Sequence, residues 1–413
     1  MYLSYVTIRG KSYISDISNE RRHDMNELLW MTHPEYAILS LDELGIRDIC
    51  FVAKESGSKP TGAPWYQHEK LYQNPDNNIL ITQNNFLVRN IAIHPQCRVK
   101  YLWDCPRQPD ISREQWYRYE SPVLGTESPF YMRHVNVDGN LNGLTVSCYM
   151  WTNMSFHAHG NLTSSSKPSP AEVEWIYSDQ LVWVYFPISP GEKICGVWVL
   201  TLPGGLATVA IYTTLGRSRI FGSYQESEHR SDIKLQRLNG SPDGYVKSIY
   251  YNDLRPKPTE RDLRLAVVST KETTVAVPED PPWPIGKVPV AGRQIGQDWF
   301  HSQAILKNVQ SIDTCKHRTT GICLGILLHY EDSTREALGQ WRFDHNIEVM
   351  DKQEVPHQIN LCLGYVESIP CVTDICFGSG VDDPRWVAIA MRGCLVWWFS
   401  KLGGLVVHED DTL

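Results

Sequence analysis

Val209-Ala-Ile-Tyr-Thr-Thr-Leu-Gly-Arg-Ser-Arg-Ile-Phe-Gly222 and Ile326-Leu-Leu-His-Tyr-Glu-Asp-Ser-Thr-Arg-Glu-Ala-Leu-Gly339 share one fourteen-residue plan, the second lying 117 residues beyond the first. Each reads as an apolar strand, a polar turn carrying an arginine, and a short second strand that closes on Phe-Gly or Leu-Gly. A comparable strand precedes both, Cys195-Gly-Val-Trp-Val in one case and Thr320-Gly-Ile-Cys-Leu in the other. Val146 to Gly160 is a weaker relative, and Ile46 to Trp65 another. Self-similarity at a fixed spacing predicts a β-protein assembled from repeated small modules.

The rest of the chain has the same texture. Strand-like patches run from Leu3 to Ile8, Asp48 to Ala53, Ile79 to Thr82, Leu144 to Trp151, Leu181 to Pro187 and Ile194 to Leu202. They continue at Thr208 to Tyr212, Leu265 to Ser269, Ile322 to Tyr330 and Arg385 to Phe399. Most are short, rich in Val, Ile, Tyr and Trp, and bounded by Gly, Pro, Asn or Asp. Helical periodicity is confined to Ser18 to Met31 and Glu35 to Leu44, which predicts one or two short helices near the N-terminus. Ser164 to Pro170 is polar and proline-bearing, and Val277 to Pro289 holds five prolines, so neither can continue a sheet. They divide the chain into expected modules at 1–165, 171–276 and 290–413. The fold expectation is mainly β: two or three β-sandwich-like or β-prism-like modules. A propeller is the alternative, but no 40–50-residue blade period supports it.

Composition agrees. The 413 residues include 14 Trp, 20 Tyr and 10 Phe, side chains that suit pleated, half-buried surfaces. A formal charge of −8 supplies no global attraction for nucleic acid or an anionic membrane. No apolar run approaches the roughly 20 residues of a membrane span, and Met1 to Gly10 lacks the features of a secretory signal. The eleven cysteines are odd in number and mostly lie in apolar runs, as buried thiols of a reducing, intracellular compartment would. Asn-x-Ser/Thr triplets at Asn153, Asn161 and Asn239 are read as chance.

Several stretches resemble a family of fungal β-rich proteins in which an F-box often precedes the β region. They are Gly45-Ile-Arg-Asp-Ile-Cys-Phe-Val, Trp183-Val-Tyr-Phe-Pro-Ile-Ser-Pro-Gly-Glu-Lys-Ile-Cys-Gly-Val-Trp-Val, Thr213-Thr-Leu-Gly-Arg-Ser-Arg-Ile-Phe-Gly-Ser-Tyr, Ala337-Leu-Gly-Gln-Trp-Arg and Met391-Arg-Gly-Cys-Leu-Val-Trp-Trp-Phe-Ser. More remotely, Gly191-Glu-Lys-Ile-Cys and Ile220-Phe-Gly are similar to the hairpin repeats of jacalin-like β-prism lectins. The resemblance implies a recognition role, as a lectin or as the substrate-recognition part of an F-box-type ubiquitin ligase adaptor. The chain departs from both patterns, having no Leu-Pro-start F-box at its N-terminus and no clear Gly-x-x-x-Asp sugar loop. Strand-like sequence almost at Met1 fits a chain that begins after an F-box.

Motifs for chemistry are sparse, and no catalytic residue or cofactor is assigned. Phe377-Gly-Ser-Gly-Val lacks the outer glycines of a nucleophile elbow, and no phosphate-binding Gly-x-x-x-x-Gly-Lys-Ser/Thr is present. His157 and His159 would share one strand face, a geometry zinc sites use, but no third ligand lies nearby in sequence. Cys371-x4-Cys376 and Cys315-x7-Cys323 lack paired zinc knuckles. Asp48, Glu172, Glu174, Glu331, Asp332 and Asp344 are scattered acids that a glycosidase could pair only through its fold.

Aromatic recognition is the better-founded expectation, because Trp and Tyr stack on sugars and anchor protein interfaces. The candidate binding residues are Trp65, Tyr66, Trp116, Trp283, Trp397 and Trp398. Adjacent Trp397 and Trp398 face opposite ways on a strand, so one meets the core and the other points outward or into another layer. The functional expectation is a non-enzymatic intracellular binding protein for a protein or glycan partner, without nucleic acid or membrane. The alternative is a lectin-like or carbohydrate-active protein.

Overall fold

The computed structural model describes residues 2–21, 23, 26–27, 34–53, 62–71, 80–84, 86–92, 101–107, 109–112, 115–118, 129–139, 141–160, 181–239, 244–253, 263–270, 276–284, 288–289, 298–349, 357–366, 368–378, 383–401 and 403–409. These residues are mainly β and include the short 3-10 helix Ser227–Asp232. Among them no helix is long and apolar enough to cross a membrane. The chain forms two compact units. One comprises Met1–Asp110, Ser121–His134 and Tyr250–Lys257; the other comprises Ile111–Glu120, Val135–Ile249 and Pro258–Leu413.

In the first unit, strands Tyr2–Ile8 and Lys11–Ser18 form a hairpin closed by Arg9 and Gly10, both at positive φ. Two consecutive left-handed residues give the turn whose twist matches the flanking strands. Strand Tyr36–Leu41 lies between Ile46–Val52 and Trp65–Lys70, and Trp65–Lys70 continues to Tyr101–Trp103. Tyr101–Trp103 then pairs in parallel with Phe130–Met132.

The expected helix at Glu35 to Leu44 is therefore a strand. Tyr36-Ala-Ile-Leu-Ser-Leu is apolar on both faces because it is covered on both: Ala37 and Leu39 pack with Leu3, Ile14 and Phe51, while Ile38 packs with Val52 and Tyr66. A short, doubly buried strand has no alternation to distinguish it from a buried helix. Within Ser18 to Met31, Asn26–Glu27 is a strand paired with Tyr2 and Leu3, and residues 28–31 lie outside the described residues.

The second unit carries two four-stranded antiparallel sheets of one design. Along the chain the first comprises Ile194–Thr201, Ala207–Thr213, Ser218–Ile220 and Lys234–Arg237; the second comprises Val309–Lys316, Cys323–Tyr330, Arg335–Gly339 and Asn346–Val349. In each, three strands meander and the fourth returns beside the first, the Greek-key order. The two quoted stretches occupy the second and third strands of their respective sheets.

Two three-stranded sheets follow the same plan without the third strand. Leu141–Tyr149 lies between Thr152–Gly160 and Val182–Pro187, and Gln358–Val366 lies between Ile369–Phe377 and Trp386–Ala390. A last sheet joins Phe300–Ile305, Cys394–Phe399 and Gly404–Glu409.

Large side chains fill the space between these sheets. Trp151 and Trp198 pack with Leu200 and Ala210, and Tyr185 packs with Cys315, Leu327 and Trp341. Cys148, Cys195, Cys315, Cys323, Cys362 and Cys371 are buried free thiols. Asn153 and Asn239, two of the triplet asparagines, are also buried, and their amides tie strands together. The linker Ser164 to Pro170 lies outside the described residues, whereas the described part of Val277 to Pro289 contains no strand.

Candidate functional site

A pocket of the second unit has a volume of about 430 Å³ and is built around the short strand Ser218–Ile220. Alternation along this strand sends Arg217 and Arg219 to one face, and their partners come from distant parts of the chain. Arg217 Nε donates to Glu192 Oε1 at 2.9 Å, one Nη donates to Glu336 Oε1 at 2.7 Å, and the other donates to the Pro187 carbonyl at 2.6 Å. Beneath it lies the Phe186 ring, 4.8 Å from the guanidinium carbon. Arg219 donates to the carbonyls of His301 and Ala337 at 3.3 and 3.4 Å and stands 3.7 Å from Glu336. Burial pulls the Arg219 guanidinium below its ordinary pKa.

A second group of side chains forms the rim. Arg230, from the 3-10 helix, donates to the Tyr224 hydroxyl at 3.2 Å and to the Pro284 carbonyl at 2.9 Å, and its guanidinium lies 5.1 Å over the Trp283 ring. These contacts hold the loop Pro282-Trp283-Pro284 at the pocket wall, with Trp283 half-buried. His301 packs edge-on to Trp398 at 4.7 Å, and Tyr224 meets the same indole at 4.7 Å. Burial, followed by the charges of Arg219 and Arg230, pushes His301 down to about 3, so its ring is neutral near pH 7. Gln225, Gln303, Ser218 and Ser223 complete the polar lining, while Trp151, Ile220 and Ile305 complete the apolar one.

This arrangement provides amide, hydroxyl and guanidinium hydrogen-bonding groups beside an indole. Its carboxylate, Glu336, already accepts from Arg217. Arg217 therefore ties the lining acid to the buried Glu192 behind it, as one structural network.

Of the aromatic candidates, Trp283 alone lines this pocket. Trp65 is buried edge-on to Tyr131 at 4.9 Å, and Tyr66 is buried beside Ile38 and Ala63. Trp116 is half-buried under the Arg118 guanidinium, and its carbonyl accepts from Gln236. Trp397 and Trp398 are both buried, so the second indole meets another layer rather than water. Trp398 packs with Val288, Trp299 and Val396, and Trp397 lies against Gly404 and Gly339.

His157 and His159 share a strand face, but each has its own hydroxyl partner, Ser155 at 2.8 Å and Thr145 at 2.7 Å. Burial pushes His159 down to about 4. Asp332 and Asp344 are engaged by Thr334 and Arg342, respectively, and Glu172 and Glu174 lie outside the described residues.

Arg217 and Arg219 are absent from the expected site. Their local signal is two like charges two residues apart on a short strand, which places them on one face and calls for shared acids. Those acids, Glu192 and Glu336, are remote in sequence, so the constellation exists only in the fold. No protein-family model and no curated protein matches the chain.

Proposed function

We propose that the chain is a non-enzymatic binding protein and that the Trp283 pocket takes a sugar unit of a glycan. The reading rests on one observation: an indole, anchored by Arg230, shares a pocket of about 430 Å³ with Gln225, Gln303 and Ser218. A pyranose has an apolar face for an indole and a rim of hydroxyls for amides and guanidinium groups. The engagement of Glu336 by Arg217 favours binding over acid catalysis at this place.

The fold reading that accompanies this is a set of β-prism-like modules. The shared Greek-key order of the two four-stranded sheets supports treating the two fourteen-residue stretches as copies of one unit. Residues 300–409 hold sheets of three, four and three strands, as a three-sided module requires. Both features agree with the jacalin-like resemblance of Gly191-Glu-Lys-Ile-Cys and Ile220-Phe-Gly.

The test is a glycan array with the purified protein and its Trp283→Ala variant, accompanied by thermal melts. Selective binding by the parent, reduced at least about tenfold in a variant that still melts cooperatively, is expected. A blank array for the folded parent overturns the glycan reading and favours a protein partner.

A further inference from the structure

We propose a zinc-class metal site in the first unit, formed by Asp104, Cys105 and His134. One donor atom from each residue, carboxylate oxygen, thiol sulfur and ring nitrogen, lies within 4.8 Å of the other two. This site is independent of the Trp283 pocket and of the glycan reading.

The backbone places these residues together. Tyr101–Trp103 runs parallel to Phe130–Met132, and the Asp104 N–H extends the ladder to the Met132 carbonyl at 3.0 Å. Continuing this parallel register sets Cys105 beside His134. The His134 N–H donates to Asp104 Oδ2 at 2.9 Å, and its Nδ1 meets Asp104 Oδ1 at 2.7 Å. The imidazole stacks on Tyr250 with 5.8 Å between centroids, which sets the plane of the ring. The backbone bond from His134 N–H to Asp104 and the Tyr250 stack hold the two ligands near each other before an ion arrives.

The donor set selects the ion. Sulfur, imidazole nitrogen and carboxylate oxygen together suit zinc, whereas calcium and magnesium prefer oxygen alone. Ligand bonds of about 2.0–2.3 Å in a tetrahedron separate the donors by roughly 3–4 Å. The His134–Asp104 contact of 2.7 Å therefore opens by about half an ångström, and a donor separation near the 4.8 Å bound closes by about an ångström. Three protein ligands leave a fourth position for water or an external ligand. Cys105 now donates its S–H to the Arg107 carbonyl at 3.2 Å, and burial together with Asp104 pushes the thiol up to about 12. A bound dication supplies the positive charge that the thiolate lacks, with the thiol proton passing to solvent.

Cobalt(II) is the probe, because it substitutes for zinc and reports a thiolate ligand by a charge-transfer absorption band. The full chain is stripped with chelator and titrated with Co2+, and bound Co2+ is then displaced with Zn2+. One equivalent with the thiolate band is expected, and both the band and most of the affinity are lost in Cys105→Ser. His134→Ala, at an exposed position, weakens binding at least about tenfold while the apo protein still melts cooperatively. The His134 variant therefore carries the test even if the Cys105 variant fails to fold. A parent without the band overturns the site, as does unchanged affinity in a folded Cys105→Ser or His134→Ala protein.

Discussion

Glu192 and Arg217 form an ion pair whose carboxylate is wholly shielded from water, with Nε–H donating to Oε1 at 2.9 Å. The same carboxylate accepts from the Ser189 N–H at 2.8 Å and from the Thr213 hydroxyl at 2.5 Å. Arg217 keeps Glu336 and the Pro187 carbonyl when Glu192 is removed, whereas the Ser189 N–H and the Thr213 hydroxyl lose a buried acceptor. Glu192→Ala is therefore expected to lower unfolding free energy in urea by about 1–3 kcal/mol. A loss below about 1 kcal/mol, the worth of an exposed pair, would show that water reaches these donors and replaces the carboxylate.

The glycines that close the two matching stretches have distinct steric reasons to be there. Gly339 is at φ +74°, and a Cβ on it would stand 2.4 Å from the Leu324 carbonyl oxygen. Gly222 would bring a Cβ to 2.8 Å from Thr208 and 2.9 Å from Trp151. Gly339→Ala meets backbone, which cannot swing aside, and adds the strain of a left-handed conformation. It is expected to destabilise by at least about 2 kcal/mol. Gly222→Ala meets side chains and should cost less, so the order of the two melting temperatures checks the argument.

Asn153 joins two sheets of the second unit through its amide. Its Nδ2 donates to the Phe221 carbonyl at 2.8 Å, and its Oδ1 accepts from the Val209 N–H at 2.7 Å and the Thr208 hydroxyl at 3.1 Å. Asn153→Ala leaves an N–H and a carbonyl buried without this partner, at about 1–3 kcal/mol per group. Asn153→Asp keeps the acceptor but places a charge in the core and loses the donor. Both variants should unfold at lower urea than the parent, and parental stability in Asn153→Asp would contradict the buried geometry.

Strands are legible where turn residues bracket short β-branched and aromatic runs. Ile194–Thr201 and Cys323–Tyr330 follow their sequence patterns closely. Tyr36–Leu41 reads as helix in the sequence because its apolar side chains are buried on both faces, which removes the alternation that marks a strand. At the pocket, Trp283 is legible because its proline neighbours force a loop. The charged network is not: Arg217 sits near its partners only after sheets from residues 192 and 336 have come together. The proximity of Cys105 and His134 is hidden for the same reason, since a parallel pairing of strands leaves no local spacing to read.

Acid should weaken this protein before its carboxylates begin to titrate. His301 is pushed down to about 3 by burial and then by Arg219 and Arg230; His345 is pushed to about 4 by burial and then Arg342; burial alone takes His159 to about 4. Each ring is neutral in the fold but takes a proton near pH 6.5 once unfolded. Between those values the unfolded chain binds more protons, so stability is full above about pH 6.5 and falls as pH drops towards 4. His134 acts in the opposite sense, because its hydrogen bond to Asp104 raises it and favours the folded, protonated form on acidification. Burial lowers His68 and His317 as well, so among the described residues five depressed histidines against one raised one leave a net loss. The urea midpoint is therefore expected to decline from pH 7 to pH 5, where most carboxylates remain ionised, and His159→Gln should make that decline shallower. A midpoint that holds or rises over this interval would mean that these rings accept protons in the folded state.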